Sequence, residues 1–202
     1  MKPRFALAAA LTLLLLPGCI LGSHEVTLAP VRGNAAPAQV AGVKIAVEVV
    51  DRRDPRLARN VGDARDATWI KTAGFHADRD PREWLATSLA AEFGRAGFEL
   101  RDAGDREVEW TVRFELTYCW TRAIGNFETE IYGTLTIARG DRTIVNRVVY
   151  GHLIGDPILS GASDRLCVKA LTQTLQIVID QCVAIVVHAV RAPAGDHATA
   201  SA

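Results

Sequence analysis

Alternation of apolar and polar residues over positions 108–120 constrains the fold of this chain more than any other feature. The apolar set is Val108, Trp110, Val112, Phe114, Leu116, Tyr118 and Trp120, and the residues between are Glu109, Thr111, Arg113, Glu115, Thr117 and Cys119. Successive side chains of a strand point to opposite sides, so the pattern predicts one long strand with one buried face and one solvent-exposed face. Alternation recurs over 127–137, and a third strand is predicted over about 143–152. Three consecutive strands predict an antiparallel meander.

Two helices are predicted, one on each side of the meander in the sequence. Asp80, Pro81 and Glu83 form a helix start, in which Asp80 caps the first turn and Pro81 takes the first helical position. This helix is expected to span about 81–96. The second is expected over about 164–190, because its apolar residues recur at helical spacing.

The order of elements predicts the fold class. A strong strand over 42–51 and a weaker one over 67–73 precede the first helix, and the charged segment 52–66 between them is expected to be a solvated loop. The order is therefore β-(β)-α-β-β-β-α. It predicts an α/β (α+β) two-layer sandwich, in which two helices cover one face of a mixed sheet with a C-terminal antiparallel meander. We expect a single domain over 42–191 and a disordered tail over 192–202.

The N-terminus has the layout of a bacterial lipoprotein leader. A basic start is followed by an apolar run over 5–16 and then by Pro17, Gly18 and Cys19. The run falls short of the roughly 20 residues that a membrane-spanning helix needs. We expect a signal peptide over 1–18, a lipid attached to Cys19, and a flexible tether over 19–41 that is rich in Ala, Pro and Gly. Within this tether, residues 26–28 could add a short edge strand to the domain. A secreted protein without lipid is the alternative.

Charge excludes one class of partner. The chain has 23 basic and 23 acidic residues, so loss of Lys2 and Arg4 with the leader leaves 21 basic against 23 acidic. A chain so close to neutral, without a basic stripe, is not expected to bind nucleic acid.

Three cysteines remain after Cys19, which is an odd number for an oxidising compartment. Cys167 and Cys182 lie on the second predicted helix and are separated by about 22 Å at 1.5 Å per residue, so they cannot form a disulfide with each other. Cys119 could pair with either one. The favoured interpretation is that all three are small buried hydrophobic residues.

Several of these features together resemble the YajG-like bacterial lipoproteins. They are the lipobox-like 16–19, the early strand from Gly42 that ends in Asp51 and Arg52, the helix ending in 93–98, the meander, and the terminal helix over 164–187. The resemblance implies an outer-membrane-associated lipoprotein with acyl chains on Cys19 and no assigned activity. Ile20 rather than Asp after Cys19 is in keeping with sorting to the outer membrane.

Residues capable of chemistry are present, but simpler roles are favoured for them. His76, Asp78 and Asp80 could bind a metal, yet their acids stand where a helix start favours negative charge. Asp51 and Asp54 are interpreted as solvated charges at the end of the first strand. A further group of possible catalytic residues lies before the last helix and consists of His152, Asp156, Ser160 and Ser163. It lacks the Gly-x-Ser-x-Gly elbow of serine hydrolases. We therefore predict no catalytic residue, no metal ligand and no cofactor other than the lipid on Cys19.

Two surfaces are better candidates for binding. The first is an apolar segment, expected to be a loop after the meander, that either folds back on the core or stays exposed to a partner; it contains Leu153, Ile154, Ile158 and Leu159. The second is the turn between the first two meander strands, with Arg122 and Ile124. We expect a non-enzymatic binding or scaffolding protein of the periplasm whose partner is an envelope protein, glycan or lipid. The alternatives are a cell-wall or lipid hydrolase using Asp or Glu, and an accessory subunit of an envelope transport or assembly complex.

Overall fold

A computed structural model describes residues 22–34, 40–157 and 164–192, with the side chains of Asp156 and Pro157 left out. Over these residues the chain forms one mixed sheet of eight strands and two long helices, which confirms the predicted α+β two-layer architecture. The elements are β1 Gly22–Val26, β2 Lys44–Asp51, β3 Asn60–Arg65, β4 Lys71–Ala77, α1 Pro81–Arg95, β5 Glu99–Leu100, β6 Trp110–Ile124, β7 Asn126–Arg139, β8 Arg142–Pro157 and α2 Asp164–Arg191.

Strand β6 is the common element of the sheet. One of its edges pairs with β7 along its whole length, and β7 pairs with β8, so that the predicted antiparallel meander is present. The other edge pairs with β2 over the first half of β6 and with β3 over the second half, both in parallel. β5 extends the β2 branch, and β4 and β1 extend the β3 branch. The sheet therefore forks on one side of β6.

A β-bulge at Thr117 divides β6 into these two halves. Leu116 pairs with Gly133 and Tyr118 with Tyr132, which leaves Thr117 as an extra residue. One extra residue reverses which side chains face the core. Uninterrupted alternation predicted Tyr118 and Trp120 on the buried face. That assignment is wrong, because beyond the bulge the buried residues are Cys119, Thr121 and Ala123.

The two helices cover the face of the sheet that the first half of β6 buries. α1 begins as predicted, with the Asp80 carboxylate accepting a hydrogen bond from the backbone N–H of Arg82 and Pro81 at the first helical position. α2 packs closely on β8, where Thr174 lies so near Gly151 that a Cβ there would meet the Thr174 carbonyl oxygen at 2.7 Å. We call the opposite side of the sheet the uncovered face.

α2 is the one helix of the described residues that is long and apolar enough to cross a membrane, and half of its apolar stretch is buried within the domain. Its buried side chains pack on β7 and β8 as those of a core helix do. The sequence predicted this core-packing role.

The described part of the predicted tether packs on the domain instead of being flexible, and it contains an edge strand, β1, slightly earlier than the one expected over 26–28. Val26 is fully buried in β1, and Leu28 and Val31 follow it into the core. The indole N–H of Trp84 on α1 donates to the carbonyl of Ala29, 2.6 Å away. The segment therefore packs as part of the domain, although its Ala, Pro and Gly content is typical of a linker. Residues 1–21, with Cys19, and the tail from 193 lie outside the described residues.

The predicted solvated loop over 52–66 is also wrong in part. After a short 3-10 turn, Pro55–Leu57, the chain forms β3, and β4 begins later than the predicted strand over 67–73. Arg53 is buried in the fork between the β2 and β3 branches. Its guanidinium donates to both carboxylate oxygens of Asp51 and to the carbonyls of Ala58 and Asn60.

Cys119, Cys167 and Cys182 are buried free thiols, which confirms the favoured interpretation of the three cysteines. Burial raises the pKa of Cys119 and of Cys167 to about 12 and raises that of Cys182 as well. All three are therefore neutral, unreactive thiols at physiological pH.

Candidate functional site

Both predicted binding surfaces meet at one end of the sheet, which we call the hairpin end because it carries the β3–β4 and β6–β7 turns. Arg122 of β6 pairs with Glu128 of β7, and Glu128 pairs with Ile154 of β8. Ile124 is two residues past Arg122, at the β6–β7 turn. Four of the six predicted binding residues, Arg122, Ile124, Leu153 and Ile154, are therefore neighbours, while Ile158 and Leu159 lie outside the described residues.

The structure separates the roles of Leu153 and Ile154, which belong to β8 and not to a loop as predicted. Leu153 is partly buried and packs against the core, whereas Ile154 is 61% exposed on the uncovered face. They border a cavity of about 230 Å³ between β8 and the first turns of α2. Its other lining residues are Phe127, Gly155, Leu166, Lys169, Ala170 and Gln173.

The uncovered face carries an ordered patch of aromatic and charged side chains at this end of the meander. Its first row consists of three tyrosines in register across β6, β7 and β8: Tyr118, Tyr132 and Tyr150. The rings of the first and second tyrosine are stacked with centroids 5.1 Å apart, and the second and third are in tilted contact at 6.1 Å, so the three rings form a continuous row. The next row contains Trp120, Glu130 and His152, and the third contains Arg122, Glu128 and Ile154. We call these nine residues the aromatic patch.

The charged groups of the aromatic patch bind one another. A carboxylate oxygen of Glu128 lies 3.2 Å from His152 Nε2, and its other oxygen lies 4.0 Å from Arg122. Glu130 accepts a hydrogen bond of 2.9 Å from the Tyr150 hydroxyl, and this bond raises the pKa of Tyr150. The patch is therefore a surface whose side chains hold each other in place.

Glu128, Glu130 and His152 are also the one group within the described ranges whose ligand atoms lie close enough together to hold a metal ion. Their ligand atoms all lie within 4.8 Å of one another. The sequence did not single out the two acids, because a Glu-x-Glu pair on a strand is common on any wet face. Only the pairing of Glu130 with His152 across β7 and β8 brings the third ligand beside them.

One acid beside the patch is buried. Asp63 of β3 stands opposite Arg122 in the register of the adjacent strands β3 and β6, and it is almost inaccessible. Arg65, two residues later, binds one of its carboxylate oxygens at 2.8 Å. The other oxygen, Oδ1, has no hydrogen-bond partner among the described residues, and neither has Nε of Arg122. Burial of such atoms costs free energy, so this boundary of the patch retains the capacity to bind a polar group.

Strand β8 is an edge of the sheet, since β7 is its one strand neighbour in the described part of the chain. Large apolar side chains are exposed on it at alternate positions, with Val148 66% exposed and Tyr150 45% exposed, followed by Ile154. Gln181 of α2 donates to the Tyr150 carbonyl at 2.8 Å and so covers part of the edge. Exposed edge strands are surfaces on which other chains dock.

The β3–β4 turn exposes a second apolar group that the sequence did not predict as a site. Trp69 is 60% and Ile70 64% exposed. The carboxylate of Asp66 fixes the turn by accepting hydrogen bonds from the N–H groups of Thr68 and Ile70. Trp69 has φ +67°, a left-handed conformation that is unfavourable for a residue with a large side chain.

Four of the other residues considered for chemistry have structural partners. Asp78 accepts a hydrogen bond from the N–H of Leu28, and Asp80 caps α1. Asp51 binds Arg53, and Asp54 caps the 3-10 turn. Ser160 and Ser163 lie outside the described residues.

Comparison with known proteins gives a shared fold and no activity. No protein-family model and no curated protein sequence matches the chain. Among solved structures, protein XCC0632 from Xanthomonas campestris, described with the family-model DUF330, has a TM-score of 0.59 at 13% identity, over 83% of this chain and 95% of that one.

Two further structures are similar. One is an uncharacterized protein with a TM-score of 0.55 at 12% identity, covering 82% of this chain and 98% of the other. The second is the hypothetical protein CT253 from Chlamydia trachomatis, with a TM-score of 0.51 at 11% identity, covering 76% of this chain and all of the other. The chain therefore shares its fold with uncharacterised proteins.

Proposed function

We propose that this chain is a lipid-anchored protein of the bacterial outer membrane that faces the periplasm and acts by binding another envelope protein rather than by catalysis. Cys19 carries the anchor, and the relation to YajG-like lipoproteins belongs to the same proposal. The leader sequence supports the anchor. The similar structures support a fold shared with uncharacterised proteins.

The observation that carries the binding role is the exposed apolar stripe on edge strand β8. Val148, Tyr150 and Ile154 stand on the uncovered face, beside the stacked tyrosines of the aromatic patch. Tyr, Trp and Arg are enriched where proteins bind one another, and the patch has all three. Its side chains hold each other in place before binding, so a partner would have few of them left to order.

Two cavities beside this surface are smaller than most sites for small molecules, which favours a protein partner over a small substrate. The cavity beside Ile154 has about 230 Å³, and a second, at the centre of the aromatic patch, has about 40 Å³. Sites for small molecules usually have about 300–1,000 Å³. A broad patch beside an edge strand matches a protein surface better.

Site-specific photocrosslinking in intact cells tests this binding role. A photoreactive phenylalanine at Val148 should give a discrete crosslinked product that mass spectrometry assigns to one envelope protein. The matched control is position 177, where Ile177 is also an exposed apolar residue but lies on α2, away from the uncovered face. Tyr150→Asp should remove the product formed at position 148. Equal labelling at 148 and 177, or a product that Tyr150→Asp leaves unchanged, would contradict the proposal.

The anchor is tested separately. Cys19→Ser should leave an unprocessed or soluble protein, whereas the native chain should fractionate with the outer membrane and carry acyl chains on its N-terminal cysteine. Mass spectrometry of the native N-terminus is the direct measurement. An unmodified N-terminus on the exported protein would refute the anchor and leave the binding surface to stand on the crosslinking result.

The cell-wall or lipid hydrolase is the second candidate, and the group Glu128, Glu130 and His152 favours it. As a hydrolase the protein would need a metal or a free acid there, yet these side chains already bind Arg122, Tyr150 and one another. Calorimetric titration with Zn²⁺ should therefore show no saturable binding. Saturable binding that Glu130→Gln removes would favour the hydrolase instead.

A further inference from the structure

The start of the folded domain limits how far the protein can stand from its membrane. β1 begins at Gly22, opposite Ala73 of β4, and Cys19 is three residues earlier in the chain. A residue spans at most about 3.6 Å, so Cys19 lies within about 11 Å of Gly22. A lipid on Cys19 would therefore hold the beginning of β1 close to the bilayer.

The register of β1 and β4 shows which other part of the chain lies beside the beginning of β1. The two strands are parallel, and Ile70 stands three residues before Ala73, as Cys19 stands three residues before Gly22. The β3–β4 turn, with exposed Trp69 and Ile70, therefore projects from the end of the sheet where β1 begins, just after the anchored Cys19.

Three properties of this turn fit a bilayer surface. Trp69 and Ile70 are the most exposed pair of consecutive large apolar residues in the described chain. Lys71, which follows them, is also exposed. Tryptophan is enriched at the boundary between lipid headgroups and acyl chains, where basic side chains can reach phosphates.

The turn also holds Trp69 outward at a conformational cost. Its φ of +67° is a conformation that glycine adopts freely, and the hydrogen bonds of Asp66 fix the turn around it. Nothing in the fold requires a tryptophan there, because the side chain is mostly exposed. Residues held in unfavourable conformations concentrate at functional sites.

We propose that the tip of the β3–β4 hairpin is a membrane contact, in which Trp69 and Ile70 enter the headgroup region of the phospholipid leaflet that holds the acyl chains of Cys19. This contact rests on the lipid anchor of the proposed function and adds an orientation to it. With the hairpin end against the bilayer, the uncovered face and edge strand β8 extend sideways into the periplasm, where a partner protein can reach Val148.

Quenching of tryptophan fluorescence by brominated lipid tests the contact. The full-length protein is purified from membranes, its N-terminal acylation is verified by mass spectrometry, and it is reconstituted in vesicles of phosphatidylethanolamine and phosphatidylglycerol with and without brominated acyl chains. Trp69 is one of four tryptophans, so bromine should remove part of the emission and leave the rest. Trp84 and Trp110 are buried in the domain and should contribute little to the change.

Three variants separate the contact from a folding effect. Trp69→Ser should lose the quenching, and Trp69→Gly should lose it while melting at or above the wild-type temperature, because glycine accepts the left-handed conformation. Trp120→Phe, altered in the aromatic patch instead, should keep the quenching.

Each remaining outcome has a defined meaning. Acylated wild-type protein that is quenched no more than Trp69→Ser would overturn the membrane contact and leave the anchor intact. If Trp69→Ser instead removed the crosslink formed at position 148 without any quenching in the wild type, the turn would belong to the protein interface, which also overturns the contact. An unacylated N-terminus would refute the anchor and the contact together.

Discussion

The two halves of β6 present different surfaces on the uncovered face, although they are parts of one continuous strand. Before the bulge at Thr117, the outward side chains include Arg113 and Glu115, which form ion pairs with each other and with Glu48 and Arg52 of the β2 branch. After the bulge, the outward side chains are Tyr118, Trp120, Arg122 and Ile124, which build the aromatic patch and its border.

The difference shows how one extra residue in a strand determines which side chains face outward. If Thr117 were an ordinary paired residue and β6 had no bulge, the alternation would direct Tyr118 and Trp120 toward the helices and Cys119 toward solvent. With the bulge, the first half remains an ordinary wet face, while the second half places aromatic residues outside, beside the β3 branch and the hairpin end. Bulges of this kind are known to re-aim side chains next to functional sites.

Deletion of Thr117 should disturb the comparison most. Leu116 and Tyr118 would become neighbours opposite Gly133 and Tyr132, so the ladder with β7 would be regular and Tyr118 and Trp120 would keep facing outward. On the other edge of β6, however, the deletion would bring β2, which pairs as far as Leu116, one residue closer to β3, which pairs from Thr121, and would crowd the fork between them. We expect a loss of about 3–4 kcal/mol in the free energy of unfolding, measured by circular dichroism in urea. Thr117→Ala keeps the chain length and should stay within about 1 kcal/mol of wild type. A deletion variant as stable as wild type would show that the fork does not depend on the bulge.

Arg53 closes the fork at which the two halves take different neighbours, and Arg53→Met should have the next largest effect. It leaves Asp51 and the carbonyls of Ala58 and Asn60 without their donors, at a cost of about 3 kcal/mol in the free energy of unfolding. The matched control is Arg56→Met, because Arg56 forms a similar pair with Asp54 but is 89% exposed. Surface pairs contribute about 0–1 kcal/mol. Equal losses in the two variants would show that the fork needs no buried cation.

The same ion pair makes the fork sensitive to acid. Burial raises the pKa of the Asp51 carboxyl. The hydrogen bonds and charge of Arg53 together lower this pKa by a larger amount, so the net shift is downward. A lowered pKa means that the stabilisation is present above the usual carboxyl pKa of about 3.9 and is lost as the pH falls through the folded value. Asp51→Asn should therefore be less stable than wild type at pH 7, with a gap that closes toward pH 2–3 in urea denaturation. A gap independent of pH would exclude this linkage.

Local signals in the sequence account for most of the fold but not for the fork. α1 could be predicted because Asp80 and Pro81 define its start, and the meander because its alternation is long. The sequence indicated an edge strand over 26–28, but the bounds of β1 depend on its pairing with β4. β3 could not be predicted, because it depends on pairing with distant β6 and has no alternating pattern of its own. The bulge left no signal either, because threonine is a common strand residue.

The candidate site divides in the same way. Arg122, Ile124 and Ile154 could be singled out, because apolar or basic residues near turns stand out in a sequence. The tyrosine row could not, since it depends on the register of three strands. The sequence predicts Trp69 within a strand, because it does not show that Asp66 folds 66–70 into a turn.

Tyr132→Ser tests the surface beside the second half of β6, which is the aromatic patch. Tyr132 is the central ring of the tyrosine row; it stacks on Tyr118 and is in tilted contact with Tyr150. Loss of two aromatic contacts should lower the free energy of unfolding by about 1–2 kcal/mol. It should also weaken the crosslink at position 148, because the patch loses its fixed arrangement. Unchanged stability would show that the rings are ordered by the strands alone.

Arg113→Gln tests the first half of β6 and should have the smallest effect. Arg113 Nη2 lies 3.0 Å from a carboxylate oxygen of Glu115, and its Nε lies 3.8 Å from Glu48, but all three side chains are partly exposed. Exposed pairs in solvent contribute about 0.2–1 kcal/mol and are screened by salt. The variant should therefore lose no more than about 0.5 kcal/mol, and the loss should vanish in high salt. Because Arg113 is outside the aromatic patch, the crosslink at position 148 should persist; its loss would extend the binding surface across the bulge to both halves of β6.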